Sequence, residues 1–171
     1  DLHLCDRRQR QMCIRDRMEE KLIVEDNKDF IGIIRQVLDV KQVDVMSYSP
    51  LTLAYIGDDA YDLVIRTYLL GKGNMPVNKL NRMADGLVRA KAQSDMMDVI
   101  EPMLDEEEHA VYKRGRNAKS YTKAKNATVA DYRRATGFEA LMGYLYLQGR
   151  YVRMVELIRA GIIERLDADE I

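Results

Sequence analysis

The 171-residue sequence predicts an all-α fold, a helical bundle built on a single domain. Three observations point that way. Apolar residues recur at offsets of three and four along most of the chain, the spacing of a buried helical stripe. No stretch of useful length alternates apolar and polar residues as a half-buried strand would. Residues that start and stop helices bracket the apolar stretches. The length suits one domain and can bury a core without disulfide or metal staples. Three Pro and ten Gly exclude collagenous and low-complexity chains. No apolar run approaches the roughly 20 residues of a membrane span, so no membrane partner is expected.

The elements follow in order. Residues 22–45 carry Ile31, Ile34, Val37 and Leu38 at helical spacing, so a helix is expected there. Ser49-Pro50 reads as an N-cap followed by Pro in the first turn. From Leu51 to Leu70 the apolar positions 53, 56, 60, 64 and 68, with 54, 61, 65 and 69, form a broad buried stripe. Gly71-Lys72-Gly73 ends that helix and is no phosphate loop, because no strand precedes it. A second helix is expected from Asn78 to about Ala92, and a shorter one from Ser94 to Leu104 with a break near Pro102. The acidic run Asp105–Glu108 suits a helix N-terminus, and that helix should fail near Gly115. Thr128–Leu147 and Arg150–Leu166 complete the set.

Both cysteines, Cys5 and Cys13, lie in the first 17 residues. A cysteine-free remainder excludes a disulfide framework and a Cys-based zinc site, and fits a reducing, cytoplasmic compartment. The first 17 residues hold five Arg and three Asp, a local charge of +2. They lack the apolar stretch of a secretory signal. Residues 1–17 are expected to be a poorly ordered, non-native extension, with residues 18–171 forming one domain.

Two features carry chemistry. Lys113 to Lys125 holds six positive charges and no acid, and it is expected to form a loop between helices. Such loops bind phosphates through Arg, Lys and hydroxyl groups, although a solvated loop without a ligand has the same composition. A net charge of −1 does not exclude a polyanion, since charge placement sets the local field. Lys79, Arg82 and Lys91 either extend the positive track or are ordinary solvated charges. The second feature is a pair of acids among small residues. Asp58 follows Gly57 and precedes Ala60, and Glu139 precedes Ala140 and Gly143. Small neighbours let two helix backbones approach. Two facing carboxylates could then hold Mg²⁺, which takes one or two carboxylates plus waters and phosphate oxygens. The other reading is two unpartnered surface acids. His109 and Asp59 are expected at the surface.

Leu53-Ala-Tyr-Ile-Gly-Asp58, followed by Tyr61-Asp62-Leu63, resembles the signature helix of ribonuclease III domains. The similarity continues through Arg89-Ala-Lys-Ala-Gln93, Glu106 to Ser120 and Tyr132 to Leu147. It is nearest to the short bacterial form, Mini-ribonuclease III, which lacks a separate RNA-binding domain. The resemblance implies a Mg²⁺-dependent endoribonuclease acting on double-stranded RNA as a homodimer, with precursor large-subunit (23S) ribosomal RNA as its usual target. It implies that Asp58 and Glu139 are the catalytic and metal-binding residues. Ala54 and Thr136 stand where longer relatives carry further acids, a loss the short family shares. It also implies that Arg114, Arg116, Asn117, Lys119 and Ser120, with Lys91, contact RNA. Tyr55, Tyr61 and Leu63 are candidates for the dimer interface. The competing reading is a catalytically silent helical RNA-binding factor in ribosome assembly.

Overall fold

A computed structural model describes residues 29–119 and 128–169, with side chains given through Ile162. The extension expected at residues 1–17 lies outside the described residues. The chain divides into two units, Asp1–Asp44 and Val45–Ile171. The first contains α1 (Phe30–Val37), whose N-terminus is capped by Asp29 accepting the Gly32 N–H at 2.8 Å. Beyond it, Asp39 takes a left-handed conformation with φ of 55°. Asp is among the few residues that tolerate it. Among the described residues of the stretch 22–45, the expected helix spans Phe30–Val37.

The second unit is all-helical among its described residues: a 3₁₀ turn (Val45–Ser47), α2 (Pro50–Gly71), α3 (Val77–Val88), α4 (Ala90–Ile100), a 3₁₀ turn (Glu101–Met103), α5 (Glu106–Arg116), α6 (Val129–Leu147) and α7 (Tyr151–Asp169). The caps are those the sequence announces. Ser49 accepts the Thr52 N–H at 3.1 Å, and Thr128 accepts the Asp131 N–H at 3.0 Å. Asp105 and Glu108 form a reciprocal capping box at the start of α5.

Helix α6 is central, with α2, α4, α5 and α7 packed on it. From Ala135 to Leu145 every residue is buried except Glu139. The core joins Tyr61, Phe138, Met96, Met97, Ile100, Leu141 and Leu157, with Tyr61 and Phe138 meeting edge to face at 4.9 Å. The Met-rich, Trp-free composition is thus matched by a core of aliphatic, Met and Tyr side chains.

One expectation changes. The helix expected over Asn78–Ala92 is two helices, broken at Arg89, where the backbone is extended (φ −65°, ψ 147°). No breaker residue stands there. The turn redirects α4 so that Ala92, Gln93, Ser94, Met96, Met97 and Ile100 become buried, a tertiary gain that overrides local propensity. Helix α5 ends at Arg116, one residue past Gly115, where the sequence places its end. Gly115 is needed for close packing: a Cβ there would lie 2.7 Å from the Ala140 Cβ and 2.9 Å from the Gly137 Cα.

Candidate active site

The site begins with glycines. A Cβ at Gly57 would lie 1.8 Å from the Glu139 carbonyl oxygen, and one at Gly143 would lie 2.0 Å from the Leu53 carbonyl oxygen. No other residue lets α2 and α6 cross this closely. Asp58 follows the first of these glycines, and Glu139 belongs to the backbone it touches. Close crossing therefore sets the two carboxylates side by side. They line one cleft of about 270 Å³, with Asp59, Tyr55 and Tyr132 on its walls. Ala54 and Thr136, one turn before each acid, line it as well.

The electrostatics are those of like charges forced together. Burial, with Asp58 as the second cause, pushes the Glu139 carboxyl up to about 8. Asp58 is exposed at the cleft wall, yet it too is raised, by desolvation and then by Asp59 and Asp62. Gln93 on α4 faces both carboxylates and partly offsets the rise. Neither polar atom of its amide makes a hydrogen bond of good geometry, although Gln93 is 1% exposed.

No group of three or more His, Cys, Asp or Glu side chains among the described residues is arranged to hold a metal. Two crowded carboxylates with raised proton affinity, beside an unpartnered buried amide, nevertheless fit a divalent cation of the Mg²⁺ type. Such an ion needs only one or two carboxylates, with water and substrate oxygens for the rest.

The basic run is only in part a loop. Lys113, Arg114 and Arg116 lie on the last turn of α5, where cations complement the helix C-terminus, and Asn117 caps it. Gly115 between them packs against the Thr136 carbonyl and Ala140, the same stretch of α6 that carries Glu139. Arg114 is half-buried and donates to the Tyr48 carbonyl oxygen at 3.1 Å. Arg116 lies over the Tyr112 ring at 5.7 Å. Lys119 and Asn117 are exposed. Ser120 lies outside the described residues. Lys91 pairs with Asp95 one turn away on α4.

Two further residues, Tyr61 and His109, depart from expectation. Tyr61 is fully buried, with its hydroxyl donating to the Leu87 carbonyl at 3.1 Å, so it belongs to the core rather than an interface. Tyr55 and Leu63 remain exposed. Asp59 is exposed as expected, but it stands on the cleft wall. His109 is partly buried and pairs with Glu101 at 3.1 Å. Sequence reasoning missed Gln93, Tyr132 and the role of Glu108. The last is fully buried and binds Arg150 at 2.7 Å and Arg153 at 2.8 Å.

Residues 51–150 match the Ribonuclease III domain family. The chain is accordingly a ribonuclease III-type endoribonuclease. The Mini-ribonuclease 3 of Enterococcus faecalis is 52% identical over 67% of this chain and 89% of its own length. That of Clostridium tetani is 49% identical over 79% of this chain and 87% of its own. A Fusobacterium nucleatum protein solved by X-ray crystallography superposes with a TM-score of 0.64 at 34% identity, covering 71% of this chain and 98% of that one. The chain belongs to the Mini-ribonuclease 3 family. Among the described residues no helix is long and apolar enough to cross a membrane.

Proposed function

We propose that Asp58 and Glu139 together hold Mg²⁺ and cleave double-stranded RNA, with precursor large-subunit (23S) ribosomal RNA as the natural substrate. The observation that carries this reading is the pair of carboxylates pressed together at the α2–α6 crossing, both with raised proton affinity, in one open cleft. A bound Mg²⁺ would stabilise negative charge at the scissile phosphate and ease deprotonation of water. The two carboxylates fix where that charge is met. The water oxygen bonds to phosphorus, the bond to the 3′ oxygen breaks, and the products carry a 5′-phosphate and a 3′-hydroxyl.

Binding is a separate task. Duplex RNA is recognised by shape, through phosphates and 2′-hydroxyls across its wide minor groove. Arg116, Asn117, Lys119 and Ser120 are proposed to contact the strand. Arg114, with one N–H committed to Tyr48, contributes its remaining donors. Lys91 contributes once its pairing with Asp95 exchanges for phosphate. Two strands call for two sites, and a two-fold homodimer matches the pseudo-symmetry of a duplex.

The test compares the unmutated protein with Asp58→Asn and Glu139→Gln on duplex RNA in Mg²⁺. Each substitution should lower cleavage more than about 100-fold, the upper end of what a merely supporting residue costs, with binding kept in a gel shift. Binding without cleavage by the unmutated protein would refute the reading and favour an assembly factor. End mapping on precursor ribosomal RNA tests the substrate, and a monomer by light scattering would remove the dimer.

A further inference from the structure

We propose that Gln93 is a positioning residue for the Asp58–Glu139 pair, its buried amide placed to offer one N–H to each carboxylate and so to set them at the spacing a divalent cation requires. This rests on the cation site proposed above. The first support is burial without satisfaction. Gln93 is 1% exposed, and neither its Nε2 nor its Oε1 has a well-formed hydrogen bond. An orphaned buried amide costs stability, and a Leu of similar volume would not. Its presence calls for a role in which the amide is used.

The second support is what the amide faces. Gln93 is the neutral side chain that stands next to both Asp58 and Glu139. A side-chain amide carries two donors, enough for one bond to each carboxylate. Its neutrality also matters. A Lys or Arg in its place would neutralise the pair and compete with the cation. Another carboxylate would deepen the repulsion.

The third support is the platform. The turn at Arg89 directs α4 against α6. The residue after Gln93, Ser94, donates to Asp131 of α6 at 2.9 Å, and Arg134 of α6 donates to Asp98 of α4 at 2.6 Å. These two ties fix the backbone of Gln93 relative to the helix that carries Glu139. Such outer contacts typically set metal affinity through ligand orientation.

The test uses the full chain with Gln93→Leu, Gln93→Met and Asp58→Asn. Mg²⁺ binding is measured by calorimetry, unfolding by heating in EDTA, duplex RNA affinity in EDTA, and cleavage against Mg²⁺ concentration. Gln93→Leu and Gln93→Met should unfold at the same or a higher temperature and keep their RNA affinity. Both should bind Mg²⁺ about 10- to 100-fold more weakly and need correspondingly more Mg²⁺ for half-maximal cleavage. If both bind Mg²⁺ as tightly as the parent while Asp58→Asn loses it, Gln93 has no positioning role and the cation site stands. If Asp58→Asn binds Mg²⁺ like the parent, the cation site itself falls and Gln93 falls with it. A lowered unfolding temperature in both Gln93 variants would make the residue structural and overturn the proposal.

Discussion

Replacing Gly57 with Ala probes the crossing that brings the two acids together. The added Cβ would lie 1.8 Å from the Glu139 carbonyl oxygen, 2.6 Å from the Gly143 nitrogen and 2.8 Å from the Glu139 carbonyl carbon. All three are backbone atoms, so no rotamer change relieves the clash. An ordinary contact begins near 3.4 Å, so α2 and α6 must separate by about 1.6 Å at this point. Overpacking costs about 1–3 kcal/mol in cores that can adjust, and two buried helix backbones stand at or above the top of that range. Against it, Ala favours a helix over Gly by about 1 kcal/mol. The net destabilisation is about 2 kcal/mol or more, a fall of roughly 5–10 °C in Tm. The same displacement spreads the carboxylates, and misplacement of about 1 Å costs about 100-fold in rate. Gly86→Ala is the control. Nothing lies within 4 Å of the Cβ it would add, so it should gain about 0.5–1 kcal/mol with cleavage unchanged. Urea unfolding and initial cleavage rates at saturating Mg²⁺ read both. Equal stability shifts in the two variants, or a Gly57→Ala protein that cleaves like its parent, would refute the reasoning.

Glu139 titrates near 8 when folded against about 4.5 when unfolded, so the cation-free protein should lose stability as pH rises from 4.5 to 8. Glu139→Gln should flatten that loss, raising Tm in EDTA at pH 8 by several degrees while cleavage disappears; an unchanged pH slope would contradict it. Glu108 has the opposite sign. Burial alone would raise it, but the bonds from Arg153 and the Asp105 backbone prevail and hold it below its usual range. Its stabilisation is present above pH 4.5 and is lost as pH falls further. Glu108→Gln should cost about 2 kcal/mol at pH 7, less than a sealed ion pair because both arginines can turn to water. Urea titration reads it, and a neutral result would show that the cluster adds nothing. Duplex RNA affinity in EDTA should fall steeply with salt, and Lys119→Ala should reduce the log–log slope by about one. A flat response would exclude phosphate-dominated binding.

The helices carrying the site were legible because local chemistry marks both of their ends. Ser49-Pro50 and Thr128 mark caps whose bonds span four consecutive residues, so no distant contact is needed to find them. The break at Arg89 was not legible, since Arg, Ala and Lys all favour helix and the turn is made by burial of α4. The end of α5 near Gly115 was legible, but the packing use of Gly115, which admits α6, depends on a neighbour no local pattern shows. Tyr61 and Tyr55 share a helix and a residue type, and periodicity cannot tell core from exposed face when the apolar stripe is wide. Asp58 and Glu139 were found through their small neighbours. Gln93 carries no charge and its place in the Arg89–Gln93 stretch assigns it no role, so only its burial without a well-formed hydrogen bond brings it forward. Glu108 reads correctly as a capping acid, but its partners Arg150 and Arg153 lie 42 and 45 residues away.

The glycines and the raised carboxyls are two sides of one arrangement. Gly57 and Gly143 let α2 and α6 touch backbone to backbone, which buries the middle of α6 and leaves Glu139 the one residue between Ala135 and Leu145 that is only partly buried. The same contact strips water from Glu139 and sets Asp58 against it, so packing that stabilises the fold destabilises the ionised pair. Near neutral pH Glu139 then holds its proton in the absence of a cation. Under the proposed function, cation binding must release that proton and tightens as pH rises. A cation bound there removes the repulsion and adds its binding free energy to the folded state. The RNA phosphate follows the same logic. Two bare carboxylates repel it, and the proposed cation converts that repulsion into attraction at a single point. The basic end of α5 packs through Gly115 on the Thr136–Ala140 stretch of the same helix, so it can hold the strand by charge without neutralising the acids. RNA binding should therefore survive the loss of either carboxylate, while cleavage should not.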